Sequence, residues 1–214
     1  MALDLLDQLF RDLDRMRRMG VTPSKILTHP GAWVVATYRI GQAVRALPRI
    51  VRLPLLLVQR PMEILVGTVT GVALPSAARI GGGLYLGRPG AIAVAPDAHI
   101  GRDCNLSEGV TIAAGARGGE RGAPWIGDRV YIGPGATVSG PIRIGNDAAI
   151  GASAVVNEDV PDGAVVAGAP ARVLSMKGSR ALVLQGRKRP PLVDGARRAV
   201  RAVLPRPTQL LLRS

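Results

Sequence analysis

From about Leu74 to Val173 an aliphatic residue returns at every sixth position, and nothing else in the 214-residue chain restricts its fold so tightly. From Ile126 the beat is unbroken through Ile132, Val138, Ile144, Ile150 and Val156. The residues that follow them are small or polar: Gly127, Gly133, Ser139, Gly145, Gly151 and Asn157. Upstream it runs Leu74, Ile80, Leu86, Ile92 and then Val94, Ile100, Leu106, Ile112, so the phase slips by two between Ile92 and Val94. A short fixed period marks a solenoid, in which each repeat buries its apolar face only against its neighbours. A period of six fits neither a 3.6-residue helix nor a two-residue strand alternation. Three such repeats make a coil of about 18 residues, and the segment supplies roughly five to six coils.

Composition agrees with such a core. Aromatic residues are only 3%, while Gly (27) and Pro (17) are abundant, so the interior is filled by Ile, Val, Leu and Ala. Cys104 is the single cysteine, which excludes an intramolecular disulfide framework and suits a reducing, cytoplasmic setting. It stands two before Leu106, where other repeats carry Ala98, Ala136, Ala148 and Ala154, and it reads as a small buried apolar residue. The net charge of +13 is divided unevenly: +5 over residues 1–70, −2 over 71–171 and +10 over 172–214. The basic tail is open to two readings, a solvated extension or a contact for phosphate or anionic surfaces. It lacks interleaved aromatics for stacking on bases, so no nucleic-acid partner is expected.

The chain divides into a helical part (residues 1–71), the solenoid (72–174) and a basic extension (175–214). Ala2 to Met19 reads as an amphipathic helix, with Leu3, Leu6, Phe10, Leu13 and Met16 on one stripe and Asp/Arg pairs opposite. The aspartates Asp4 and Asp7 in its first turns argue against a signal peptide. A second helix spans Pro30 to Ala46, and a third lies between Pro54 and Thr70 with a kink or restart at Pro61. Leu53 to Val72 is the most apolar run, but its prolines and charges break it as a transmembrane segment, and packing against the solenoid is the expected use. Within the solenoid, Ala113 to Trp125 (AAGARGGERGAPW) separates Ile112 from Ile126 by fourteen positions instead of six. That excursion reads as a glycine-rich loop thrown out from a rigid coil, where function tends to reside.

Five stretches resemble the hexapeptide-repeat acyltransferases, and among them the serine acetyltransferase-like branch. They are YRIGQAVRALP (38–48), IGGGLYLGRPGAIAV (80–94), NLSEGVTIAAG (105–115), IGDRVYIGPGATVSGPIRIGNDAAIGASAVV (126–156) and VAGAPARVL (166–174). The resemblance implies a mainly β fold, a left-handed parallel β-helix with an N-terminal α-helical domain. It implies a homotrimer with acyl-CoA sites between subunits, acetyl-CoA or another acyl-CoA as co-substrate, a small-molecule acceptor and no metal. Carried across by position, CoA contacts fall on Ala114, Gly115, Pro134, Ala152 and Arg172. Arg172 suits a phosphate, because a guanidinium pairs with phosphate oxygens in two-pronged geometry; a solvated end-cap residue is its other reading.

The departure lies at the catalytic group. The family takes the acceptor proton with a histidine that follows an aspartate, and those positions hold Gly87 and Arg88 here. A second family histidine, preceded by arginine, corresponds to Ala123 after Gly122. An arginine stays protonated at neutral pH and cannot act as a base. Only His29 and His99 occur in the chain. His29, in THPG, reads as a helix N-terminal residue, and His99, beside the inward Ile100, points outward. If Leu86 and Leu106 stack on adjacent rungs, Arg88 and Glu108 face one another about 5 Å apart. They are expected to form an ion pair at the reaction centre, and pairing makes the carboxylate a weak base. Two functions remain open on these grounds: a CoA-dependent acyltransferase acting on a small hydroxyl or amino acceptor such as serine or a sugar, and a non-catalytic trimeric scaffold. An unpaired, desolvated histidine or carboxylate beside the cleft would favour the first.

Overall fold

The computed structural model describes residues 2–22, 24, 28–87 and 90–183. From Val72 onward the chain winds through five coils of a three-sided prism. Sheet A stacks β1 (Val72–Ala73), β4 (Ile92–Val94), β7 (Thr111–Ala113), β12 (Thr137–Ser139) and β15 (Val155–Val156). Sheet B stacks β2 (Arg79–Ile80), β5 (His99–Ile100), β10 (Trp125–Ile126) and β13 (Arg143–Ile144). Sheet C stacks β3 (Tyr85–Leu86), β6 (Asn105–Leu106), β11 (Tyr131–Ile132), β14 (Ala149–Ile150) and β16 (Val165–Gly168). All these pairings are parallel, and the six-residue beat becomes vertical stacks: Leu86 pairs with Leu106, Leu106 with Ile132, and Ile132 with Ile150. The stacked aliphatics are buried, with Leu86, Ile132, Ile144 and Ile150 at 0% exposure. Cys104 lies among them as expected, its thiol pushed up to about 12 by burial.

The two-residue slip has a definite place. Eight positions separate Leu86 from Val94, where six separate Leu106 from Ile112, yet Val94 pairs with Ile112. The extra residues therefore fall in the corner between sheets C and A of the first coil, where Gly90 and Ala91 take positive φ. Between sheets B and C, side-chain oxygens bind the next rung. The carboxylate of Asp128 accepts from the backbone N–H of Arg102, Asn146 from Asp128, and Asp162 from Asn146. Arg129 grips Asp147 through two bonds of 2.7 Å at the same corner. The far end of the prism is covered by β17 (Ala171–Ser175), antiparallel to β16, and by a short helix α4 (Arg180–Val183).

The N-terminal helices are α1 (Ala2–Arg18), α2 (Pro30–Arg45) and α3 (Arg49–Thr70). The expected apolar stripe of α1 is only partly realised. Met16 is buried but Phe10 is 67% exposed, and the helix instead turns Asp12 and Arg15 inward. Asp12 pairs with Arg39 of α2 at 2.8 Å and accepts from the backbone N–H groups of Gly83 and Leu84. Arg39 donates in turn to the carbonyls of Ile80 and Gly81. This buried pair nails α1 and α2 to the edge of the first coil, where strand polar groups have no next rung to bind.

Helix α3 departs from expectation twice. It starts at Arg49, and both Pro54 and Pro61 lie within one continuous helix. It packs on α2 and, as expected, against the solenoid, but only through its C-terminal half, where it meets β1, Glu63 accepts from the backbone N–H of Ser76 and Val66 packs on the core. Its polar Gln59 and Glu63 point toward the protein, Gln59 donating to the carbonyl of Thr37, while Ile50, Leu57 and Ile64 face outward at 69–88% exposure. Among the described residues no helix is long and apolar enough to cross a membrane. The basic extension beyond residue 183 lies outside the described residues.

Candidate functional site

The stacking register decides which site residues share an edge. Glu108, Pro134 and Ala152 each stand two after a stacked aliphatic of sheet C, so they form one column down the corner between sheets C and A. Backbone bonds confirm the alignment: Gly135 N–H donates to the carbonyl of Glu108 at 2.9 Å, and Ser153 N–H to that of Pro134 at 2.8 Å. Pro134 and Ala152 present little side chain, leaving a shallow backbone strip about two rungs, roughly 10 Å, long. In the first coil the equivalent bond runs from Gly109 N–H to the carbonyl of Gly90 at 2.9 Å, so the two extra residues displace the register at this corner; Arg88 lies outside the described residues, and with it the expected ion pair. Glu108 is exposed.

Ala114 and Gly115 are elsewhere. They open the excursion at the corner between sheets A and B, across the width of sheet A from the Glu108 column. The excursion is not an irregular loop. It forms an antiparallel hairpin, β8 (Gly115–Arg117) with β9 (Glu120–Gly122), turned by Gly118 and Gly119. Both turn residues have positive φ (58° and 89°), the geometry that matches a two-residue hairpin to the strand twist and that glycine adopts without strain. Lying against the next coils, the hairpin leaves a Cβ on Gly122 only 3.0 Å from Pro141, and Arg117 reaches Asp159 at 3.3 Å. At Gly122 and Ala123 there is accordingly no room for a large side chain on the first and a small, partly buried one on the second. Arg172, on β17 opposite Ala167, is exposed and pairs with Glu158 at 3.6 Å. The structure thus brings Glu108, Pro134 and Ala152 together, sets Arg172 on β17 beyond the Ala152 end of that column, and leaves Ala114 and Gly115 apart from them within one chain.

Three described groups of the first two coils and the helices above them have titratable side chains suited to proton transfer. The phenol of Tyr85 is pushed up by burial and is a poor base. Glu108 is a solvated carboxylate. The third is His29, which sequence reasoning assigned only a helix-capping place. It does occupy the N-cap of α2, in extended backbone (φ −82°, ψ 114°), without any side-chain capping bond. Its ring lies over the start of the first coil: a Cβ on Gly31 would stand 3.1 Å from His29 Cε1 and Nδ1 and 3.5 Å from Leu86 Cβ. Its Nδ1 is buried and has no hydrogen-bond partner. The only sequence signal for it is that histidine occurs twice in the whole chain. His99 points outward from sheet B, with its Nε2 3.4 Å from an Arg79 guanidinium nitrogen. Among the described residues no group of three or more His, Cys, Asp or Glu is placed to hold a metal ion.

Comparison with known proteins agrees with this architecture. The family described as bacterial transferase hexapeptide (six repeats) matches residues 123–158. A serine acetyltransferase of Mycobacterium tuberculosis is 41% identical over 106 residues, which is 50% of this chain and 46% of that protein. The chain therefore spans about half the length of that relative. A serine acetyltransferase of Helicobacter pylori is 30% identical over 150 residues, 70% of this chain and 84% of that one. Among solved structures, a serine acetyltransferase of Brucella abortus in complex with coenzyme A superimposes with a TM-score of 0.67 at 25% identity, covering 79% of this chain and 67% of that one. Matched in its left-handed parallel β-helix and over most of a relative's length, the chain belongs to the serine acetyltransferase family of hexapeptide-repeat acyltransferases.

Proposed function

We propose that the protein transfers an acetyl or other acyl group from acyl-CoA to a small hydroxyl or amino acceptor such as serine, at sites formed between the subunits of a homotrimer. The observation that carries this reading is the separation of the two half-sites. The hairpin base at Ala114 and Gly115 and the strip at Glu108, Pro134 and Ala152 flank sheet A on opposite corners. Copies related by rotation about an axis parallel to the prism would place the hairpin of one beside the strip of the next. A pantetheine arm lying along that seam would meet backbone and small side chains, and Arg172 would take a phosphate at its far end. Holding acyl donor and acceptor together in this seam supplies a large part of the acceleration, because a positioned pair reacts as one molecule. A cytoplasmic location follows from the supply of acyl-CoA.

Calorimetry with acetyl-CoA, together with thiol release measured against a panel of hydroxyl and amine acceptors, tests the assignment. Saturable binding and thiol release that depends on the acceptor are expected. Binding without turnover for every acceptor would leave a trimeric scaffold, the reading to which Arg88 and Ala123 point.

A further inference from the structure

We propose that the outer face of α3 docks the protein on an anionic lipid surface, with the helix lying in the plane of the headgroups. The inference goes beyond the acyl-transfer reading and does not depend on it. It starts from an inverted helix. The side of α3 that faces the protein carries Arg52, Gln59, Glu63 and Thr70, all buried or half-buried. On the opposite side Ile50, Leu57 and Ile64 stand in one line seven residues apart, with Val58 and Leu65 beside them, and all five are exposed. A surface helix of a water-soluble protein has the reverse arrangement, polar side out. The apolar surface continues onto α2, where Ile40 lines a depression of about 160 Å³ together with Leu55, Val58 and Met62. A contiguous apolar surface of this kind marks a place where something other than water is met.

The charges on α3 select the occupant. Its one carboxylate, Glu63, is turned inward and accepts from the backbone N–H of Ser76. The exposed charges of the helix, Arg49 and Arg60, are eleven residues apart and therefore border the apolar face on the same flank. A second copy laid against this face would bring further arginines to it and no exposed carboxylate of α3. Lipid phosphates complement it. Long arginine stems lie along an apolar boundary while their guanidinium groups reach the headgroups, and the aliphatic line sinks below them. The sequence adds to the same field: residues 184–214 hold eight Arg and Lys against one Asp, and an anionic leaflet attracts each of them. Charges at Arg52, Arg60 and Glu63 interrupt the 22 residues of α3, which suits the helix to lying on a lipid surface and not to crossing it.

The test is co-sedimentation of the full chain with vesicles of phosphatidylcholine alone and of an equimolar mixture with phosphatidylglycerol, at low and at moderate salt. Wild type is expected to sediment with the anionic vesicles and to bind the neutral ones far more weakly. Removing two aliphatic side chains from a lipid contact costs at least about tenfold in partitioning, and that loss is expected for Leu57→Gln/Ile64→Gln. Arg49→Gln/Arg60→Gln should weaken binding to the anionic vesicles and leave the neutral ones unaffected. Wild type that ignores anionic vesicles would overturn the proposal. So would undiminished binding of Leu57→Gln/Ile64→Gln, which would assign the attraction to the basic extension alone. Vesicle-free sedimentation supplies the remaining outcome. An assembly of wild type that falls apart in Leu57→Gln/Ile64→Gln would show a second copy on this face and overturn the lipid assignment.

Discussion

Asp12 and Arg39 show how a single residue pair can determine docking. Both are nearly free of solvent contact, and each oxygen and nitrogen they present toward the coil edge finds a partner. Burial pushes the Asp12 carboxyl up, against the pull of Arg39 and two backbone N–H groups. Replacing Asp12 by Ala leaves a guanidinium buried without its anion, at a cost of about 3–5 kcal/mol. Urea unfolding of Asp12→Ala should show that loss, and a loss below 1 kcal/mol would show that the pair does not hold the helices. Asp147 illustrates the opposite case. Its hydrogen bonds to Arg129 hold its carboxyl below the usual range despite some desolvation. A depressed folded pKa contributes stability that is present above the unfolded value of 3.8 and lost as pH falls through the folded one. Both side chains remain partly exposed, so the effect is small, under about 1 kcal/mol. Thermal melts between neutral and strongly acidic pH should fall more steeply in wild type than in Asp147→Asn.

At the scale of elements, α3 and the hairpin carry opposite lessons. Helix α3 has the most apolar surface of the helical part, yet Leu57 and Ile64 are 77% and 69% exposed. Changing both to Gln should shift the unfolding free energy of the isolated chain by no more than about 0.5 kcal/mol. A large drop in melting temperature would mean that this face is covered in solution. The hairpin is the reverse, a polar element with a proposed task. Replacing residues 115–122 by a short glycine–serine link should leave the melting temperature within a few degrees of wild type while abolishing acetyl-CoA binding by calorimetry. Retained affinity would separate the hairpin from the cofactor. Its expected existence as an excursion was readable from the break in period, but its form was not. The six-residue intervals that define the coil say nothing about how the thirteen residues of the excursion pair, and Gly118–Gly119 between two short strands is a hairpin signal visible only once the strands are known.

For the whole molecule, the decisive prediction concerns assembly. Sedimentation should give three copies of the 22.3 kDa chain. If a site takes its hairpin from one subunit and its strip from the next, two defective chains can complement. A hairpin-shortened chain and an Ala152→Trp chain, each inactive alone, should regain activity when refolded together, with up to one intact site per mixed trimer. Absence of recovery in mixed trimers would place both halves of the site within one subunit.

The sequence by itself determined the solenoid, because a six-residue aliphatic beat can bury its side chains only by stacking, and Leu86, Leu106, Ile132 and Ile150 do stack. It also determined that Arg88 and Ala123 cannot do the work of the family histidines, since that follows from residue chemistry alone. Tertiary structure decided what local pattern cannot carry. It turned the polar face of α1 inward, because the open edge of the first coil needs hydrogen-bond partners more than α1 needs an apolar contact. It set Ala114 and Gly115 a sheet's width from Glu108, because the corner at which a residue falls depends on the winding and not on its distance along the chain. And it laid His29, more than fifty residues upstream of Arg88, across Gly31 from Leu86, a proximity created by docking the helices onto the first coil.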